Sequence, residues 1–142
     1  MAAEISYEQL LEAIGDAILV ADEKGVITFW NPAAERIFGF ARSEALGHSL
    51  DLIIPERLQQ RHWEGYRKTM ESGHTRYGAD LLRVPAVHKD GHALSIAFTV
   101  ALLFSDEGKV NGIASVIRDE TQRFQEERAL RRRVAELEGK TS

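Results

Sequence analysis

At Trp30-Asn31-Pro32 an extended segment runs straight into a helix with no loop between them. Val26-Ile27-Thr28-Phe29-Trp30 is β-branched and aromatic, the composition of a strand. Asn31 is a preferred helix N-cap, and Pro32 suits the first helical position, where its missing N–H costs nothing. As a cap alone, Asn31 is worth about 1 kcal/mol. Upstream, Asp22-Glu23-Lys24-Gly25 reads as a turn in which Gly25 supplies a positive φ, and Ala17-Ile18-Leu19-Val20-Ala21 reads as a short apolar strand. The chain is therefore committed to a β-hairpin that delivers it directly onto a helix. Strict alternation puts Trp30 on the face opposite Ile27 and Phe29, the outer face, for the N-terminal helix or a second subunit to cover.

The remaining elements follow from periodicity and punctuation. Residues 5–15 read as an amphipathic helix with Leu10, Leu11 and Ile14 on one face. The helix after Asn31 ends at Gly39. Ser43 is expected to cap a further short turn that Gly47 ends, and residues 49–54 give another turn or loop. Pro55 opens a longer helix over residues 55–72. Residues 75–87 read as a strand, and Pro85, which cannot donate to a ladder, assigns it to a sheet edge. His88-Lys89-Asp90-Gly91 turns into a long strand, His92 to Phe104, and a last strand covers Val110 to Arg118. Three closing antiparallel strands with helices segregated to one face describe an α+β domain.

From Asp119 the composition changes. Half of the last 24 residues are charged, six acidic and six basic. Leu130, Val134 and Leu137 form a thin apolar seam at coiled-coil spacing, so this segment reads as a charged dimerisation helix. The expected organisation is an amphipathic cap over residues 1–16, a core over 17–118 and a signalling helix over 119–142.

Composition narrows the function. The chain has 142 residues, 44% hydrophobic, with a net charge of −4. There is no basic excess to attract a phosphate backbone, so nucleic acid is not an expected partner. No apolar run is long enough for a bilayer. Cysteine is absent, which removes disulfides and thiolate chemistry and fits the cytoplasm. No Walker loop, nucleophile elbow or paired catalytic carboxylates appear, so an enzyme is not expected. His88 and His92 flank a hairpin turn, and without a third ligand a metal site is not expected there.

Gly25 to Glu35, Phe38-Gly39-Phe40, Glu44-Ala45-Leu46-Gly47, Lys89-Asp90-Gly91 and Arg118-Asp119-Glu120-Thr121 stand in the order and spacing of PAS domains, and residues 7–121 resemble that family. The resemblance implies a five-stranded antiparallel sheet with helices on one face and a ligand, where there is one, between that face and the longer helix. His62 resembles, in position, the proximal heme ligand of the rhizobial oxygen-sensor kinases and of heme-regulated phosphodiesterases, with 27 residues from His62 to Lys89 as in those families. Leu82 and Asp80 stand where those families carry a distal arginine or methionine, and Tyr66 lies one place beyond their tyrosine.

Helical spacing puts Leu58, His62 and Tyr66 on the pocket face. Strand alternation puts Ile96, Phe98 and Val100, then Ile113, Ser115 and Ile117, on the facing wall. Large apolar residues on that wall could equally fill the space as a ligand-free core. The expectation is a homodimeric sensor that acts on an effector domain or partner protein. Heme b is the leading cofactor, bound through His62. A ligand-free dimerisation scaffold and a pocket for flavin or a small apolar metabolite are the alternatives.

Overall fold

The computed structural model describes residues 4–75 and 80–140. Among the described residues, five strands form one antiparallel sheet in the order β2-β1-β5-β4-β3. The strands are β1 (Ala17–Asp22), β2 (Ile27–Trp30), β3 (Leu82–Val87), β4 (Ala93–Phe104) and β5 (Val110–Asp119). Helices α1 (Tyr7–Ala13), α2 (Pro32–Phe38), α3 (Arg42–Ala45), α4 (Glu56–Ser72) and α5 (Thr121–Lys140) complete the chain, with a 3-10 turn at Leu50–Ile53. The expected α+β architecture is the one observed.

The junction after Trp30 forms as its residues dictate. Asn31 caps α2 through Oδ1, which accepts from the Ala34 N–H at 3.0 Å, and Pro32 opens the helix. The same oxygen accepts from the Ile18 N–H at 2.9 Å, and Nδ2 donates to the carbonyls of Leu11 and Asp16, both at 3.1 Å. Asn31 is fully buried. It closes four backbone groups from three segments, so it is the knot that joins the N-terminal segment, β1 and α2. Ala33 and Ala34 are also fully buried, small enough to let α2 lie close against β1.

Trp30 departs from the sequence expectation. It is fully buried, its ring centroid 5.5 Å from that of Phe38, and its Nε1 donates to the Phe40 carbonyl at 3.0 Å. The reason is a β-bulge. Leu19 pairs with Trp30 and Val20 with Phe29, but Ala21 pairs with Ile27, which leaves Thr28 as the extra residue. Leu19 and Ala21 share a face, so their partners Trp30 and Ile27 share it too. Phe29 takes the outer side, where the Arg42 guanidinium lies 5.5 Å from its ring centroid.

Other boundaries shift slightly. Of the strand expected over residues 75–87, residues 76–79 lie outside the described residues and the strand itself begins at Leu82. Pro85 does sit on an edge strand, paired with Ser95 on one side only. Ala41 rather than Ser43 occupies the N-cap of α3, and its N–H donates to the Glu44 carboxylate at 2.9 Å. Pro55 stands at the N-cap of α4 rather than inside it. The expected apolar face of α1 is largely open, with no buried residue and Leu10 exposed. No helix among the described residues is long and apolar enough to cross a membrane.

Candidate functional site

The inward face of the sheet is built by register. Phe98 pairs with Ile117, Val100 with Ser115 and Leu102 with Ile113. β1 continues the rows, with Ala17 opposite Ile117, Leu19 opposite Ser115 and Ala21 opposite Ile113. Ile96, Ile113, Ser115 and Ile117 are buried. Phe98, Val100 and Leu102 are only half-buried, although they point toward the helices and pack against the same apolar cluster. Leu82 pairs with Phe98 at the edge of this surface, half-buried and outside the cluster.

Helix α4 covers this face with the side chains at 59, 62, 63, 66, 69 and 70, all buried or half-buried, while Arg61, Glu64, Arg67 and Lys68 face solvent. Two aromatic residues fasten it. Trp63 Nε1 donates to the Asp51 carboxylate at 2.7 Å, and its ring packs on Gly25 in the β1–β2 turn. The Tyr66 hydroxyl donates to the Asp22 carbonyl. Burial, with Asp22 and Glu23 nearby, pushes the Tyr66 hydroxyl well above its ordinary pKa, so it remains a donor. Leu58, expected on the pocket face, is half-buried and outside the apolar cluster.

His62 lies between these anchors. Its ring centroid is 4.6 Å from that of Trp63, edge to face, and 5.7 Å from that of Tyr66. Burial pushes its imidazole below the ordinary histidine pKa, and the Asp51 carboxylate offsets part of that. His62 Nδ1 is buried and has no hydrogen-bond partner, the one side-chain nitrogen or oxygen among the described residues in that position. Buried polar atoms are ordinarily satisfied, so an orphan needs a reason. Such a nitrogen fits a metal-binding group: the imidazole is held neutral and a ring nitrogen is uncommitted. Two surface hollows, of about 410 Å³ beside α2 and α3 and about 490 Å³ along α5, lie elsewhere.

The family model for the PAS fold matches residues 6–119. The chain belongs to the PAS family. An uncharacterised protein of Azorhizobium caulinodans is 31% identical over 136 residues, covering 93% of this chain and 18% of that protein. The oxygen sensor protein DosP of Escherichia coli is 32% identical over 112 residues, covering 79% of this chain and 14% of DosP. The chain thus spans less than a fifth of the curated relatives it matches. A solved PAS domain from Colwellia psychrerythraea superposes with a TM-score of 0.71 at 22% identity, over 81% of this chain and 94% of that one.

The PAS exit motif is engaged on the sheet. Asp119 Oδ1 accepts from the Thr121 N–H at 2.9 Å and from its hydroxyl, and the Glu120 N–H donates to the Ser95 carbonyl at 2.8 Å. Arg118 pairs with Asp16 at 3.2 Å. Sequence reasoning missed three partners here: Asp51 for Trp63, Asp22 for Tyr66 and Ser95 for the exit motif. None is close in sequence to the residue it serves, so no local pattern announces it.

Proposed function

We propose that this PAS domain is a sensor module whose ligand sits between α4 and the inward face of the sheet, with heme b held through His62 as the leading cofactor. The buried, unpartnered Nδ1 of His62 carries this reading. A neutral imidazole is a suitable axial ligand for heme iron, and the resemblance of His62 to the proximal ligand of oxygen-sensing PAS domains points the same way. The similarity to an oxygen sensor supports it further. Heme, when bound, supplies an iron centre that takes up small gases or changes redox state.

The protein's own residues supply the rest. Phe98, Val100 and Ile117 offer apolar surface to a flat ring, and Ser115 keeps the middle of the wall shallow. Trp63 and Tyr66 fix the face that α4 presents. A ligand that moved β4 would also move Ser95, and through it the start of α5. Occupancy is thereby relayed to an exit helix that pairs with a second copy and acts on an effector domain or partner protein. The size of the response is set by the ligand's differential affinity for the two states.

A ligand-free scaffold is the second reading, favoured by the fastening of α4 to Asp51 and Asp22. Heme titration of wild type and His62→Ala, followed by the Soret absorbance, separates the two. The sensor reading expects tight binding by wild type and a weakened, spectrally altered complex for the variant. Equal binding by both removes His62 as the ligand. No binding by wild type removes heme, and a thermal-shift screen with flavins and small apolar molecules then decides between another ligand and the scaffold.

A further inference from the structure

The β3–β4 turn gathers three metal-ligating side chains on one side of the domain, away from α4. The His88 N–H donates to the His92 carbonyl at 3.0 Å, which sets these two residues opposite each other across the hairpin. Their rings stack with centroids 4.4 Å apart and 22° between planes. Gly91, at φ +93°, turns the chain so that Asp90 folds back between them. Asp90 Oδ1 accepts from the His92 N–H at 2.9 Å, touches His92 Nδ1, and lies 3.2 Å from His88 Nδ1. One ligand atom from each of the three residues falls within 4.8 Å of the others.

Two further observations set this turn apart from a chance surface grouping. First, the Asp90 N–H donates to His88 Nδ1 at 3.1 Å, which orients the His88 ring on the turn; a cation at that nitrogen would replace this hydrogen bond. The Asp90 carboxylate oxygen lies 3.2 Å from the same nitrogen and also touches His92 Nδ1, so both rings approach one anionic oxygen. Second, His88 is clamped. Its ring lies on Gly39, where an added Cβ would come 2.4 Å from Cε1. The Lys89 N–H donates to the Phe38 carbonyl at 2.9 Å, and the Lys89 ammonium is paired with Glu44. The turn is therefore held in place by α2 and α3, and the Lys89 charge within it is already engaged.

We propose that His88, Asp90 and His92 form a binding site for a divalent transition-metal ion of the zinc class, on the hairpin turn and independent of the pocket under α4. Two imidazoles and one carboxylate are the donors that zinc, nickel and copper take, whereas calcium and magnesium require oxygen-rich cages. Tetrahedral zinc with bonds of about 2 Å needs ligand atoms about 3.3 Å apart, and the three ligand atoms already lie within 4.8 Å of one another. Water completes the coordination on the open side, where Asp90 and His92 are exposed. Bound metal would cross-link the two ends of the turn and stiffen its contact with α2 and α3.

The test is isothermal titration of ZnCl2 into the tag-free full chain, with His92→Gln, Asp90→Asn and His62→Ala alongside. His92 and Asp90 are exposed, and circular dichroism checks that their variants fold. Wild type and His62→Ala are expected to bind one equivalent, unmoved by excess Mg2+. Loss of one ligand should weaken binding by about ten-fold or more, since even outer-shell changes cost that much. Co2+ should develop visible d–d bands in wild type that His92→Gln lacks. No zinc binding at about 100 µM protein and metal, or binding unchanged in both turn variants, overturns the site. Neither outcome bears on the heme titration, which reads His62.

Discussion

The Thr121 hydroxyl oxygen accepts a hydrogen bond from the Ser95 backbone N–H at 2.9 Å, so the exit helix is tied to β4 at the residue before Ile96. Ser95 also accepts from the Glu120 N–H, which closes a two-way clasp between strand and helix. The sheet and the first turn of α5 are therefore joined directly at Ser95. Thr121→Val keeps the shape of the side chain and removes its oxygen. It should cost about 1 kcal/mol and raise amide exchange at Ser95 and in the first turn of α5, read by hydrogen exchange. Unchanged exchange at Ser95 would mean that the clasp does not hold in solution.

Asn31 should matter far more than a helix cap. Replacing it with alanine leaves the N–H groups of Ile18 and Ala34 and the carbonyls of Leu11 and Asp16 without partners. The expected loss is about 3 kcal/mol, against about 1 for a cap alone. Asn31→Asp keeps the accepting oxygen but turns a second one toward two carbonyls, so it should destabilise at least as much at neutral pH. Denaturant melts of both variants check this, and a loss confined to the cap value would show that the wider network contributes nothing.

Gly25 has φ +80°, and a Cβ there would lie 2.1 Å from Trp63 Cη2. Gly25→Ala should therefore cost about 2 kcal/mol or more, from left-handed strain and from overpacking together. Combining it with Trp63→Leu relieves only the second cause, so the two changes should be clearly non-additive in a double-mutant cycle. Simple additivity of their melting free energies would refute the contact.

Leu130, Val134 and Leu137 on α5 are all exposed in the single chain. If this seam is where two copies meet, Leu130→Asp with Val134→Asp should lower the dimer fraction in analytical ultracentrifugation without altering the melting of the core. Phe124 and the outer-face residue Val116 are exposed as well and offer further apolar contact surface. A wild-type chain that stays monomeric at high concentration would reject pairing through α5.

Much of the architecture was legible because its signals are local. Asn31-Pro32, Gly39 and Pro85 each mark an element by their own backbone chemistry, and the register sets side by side the rows of β4 and β5 that alternation puts on one face. Trp30 was misassigned because a bulge inserts one residue without changing composition, so a period of two cannot register it. At His88 to His92 the sequence offers two histidines with no evident third ligand, because Asp90 has the look of a turn former and its fold-back depends on Gly91. His62 was singled out from its helical face and its resemblance. Its orphaned nitrogen depends on where Trp63 and Tyr66 settle, which no spacing encodes.

The unpaired Thr28 has a consequence for how this hairpin can vary. It acts as a half-cycle phase shift in the strand, and Asn31 and Pro32 follow Trp30 without any slack. Were all four residues of β2 paired in strict alternation, the indole would turn outward by about 180°, whereas leaving Thr28 out of the ladder keeps Trp30 opposite Leu19. Pairing all four would also carry Asn31 away from Ile18, Leu11 and Asp16 at the same stroke. The hairpin thus depends on Thr28 staying out of the ladder rather than on the number of residues in β2, and the apparent irregularity keeps the sheet and its first helix in step.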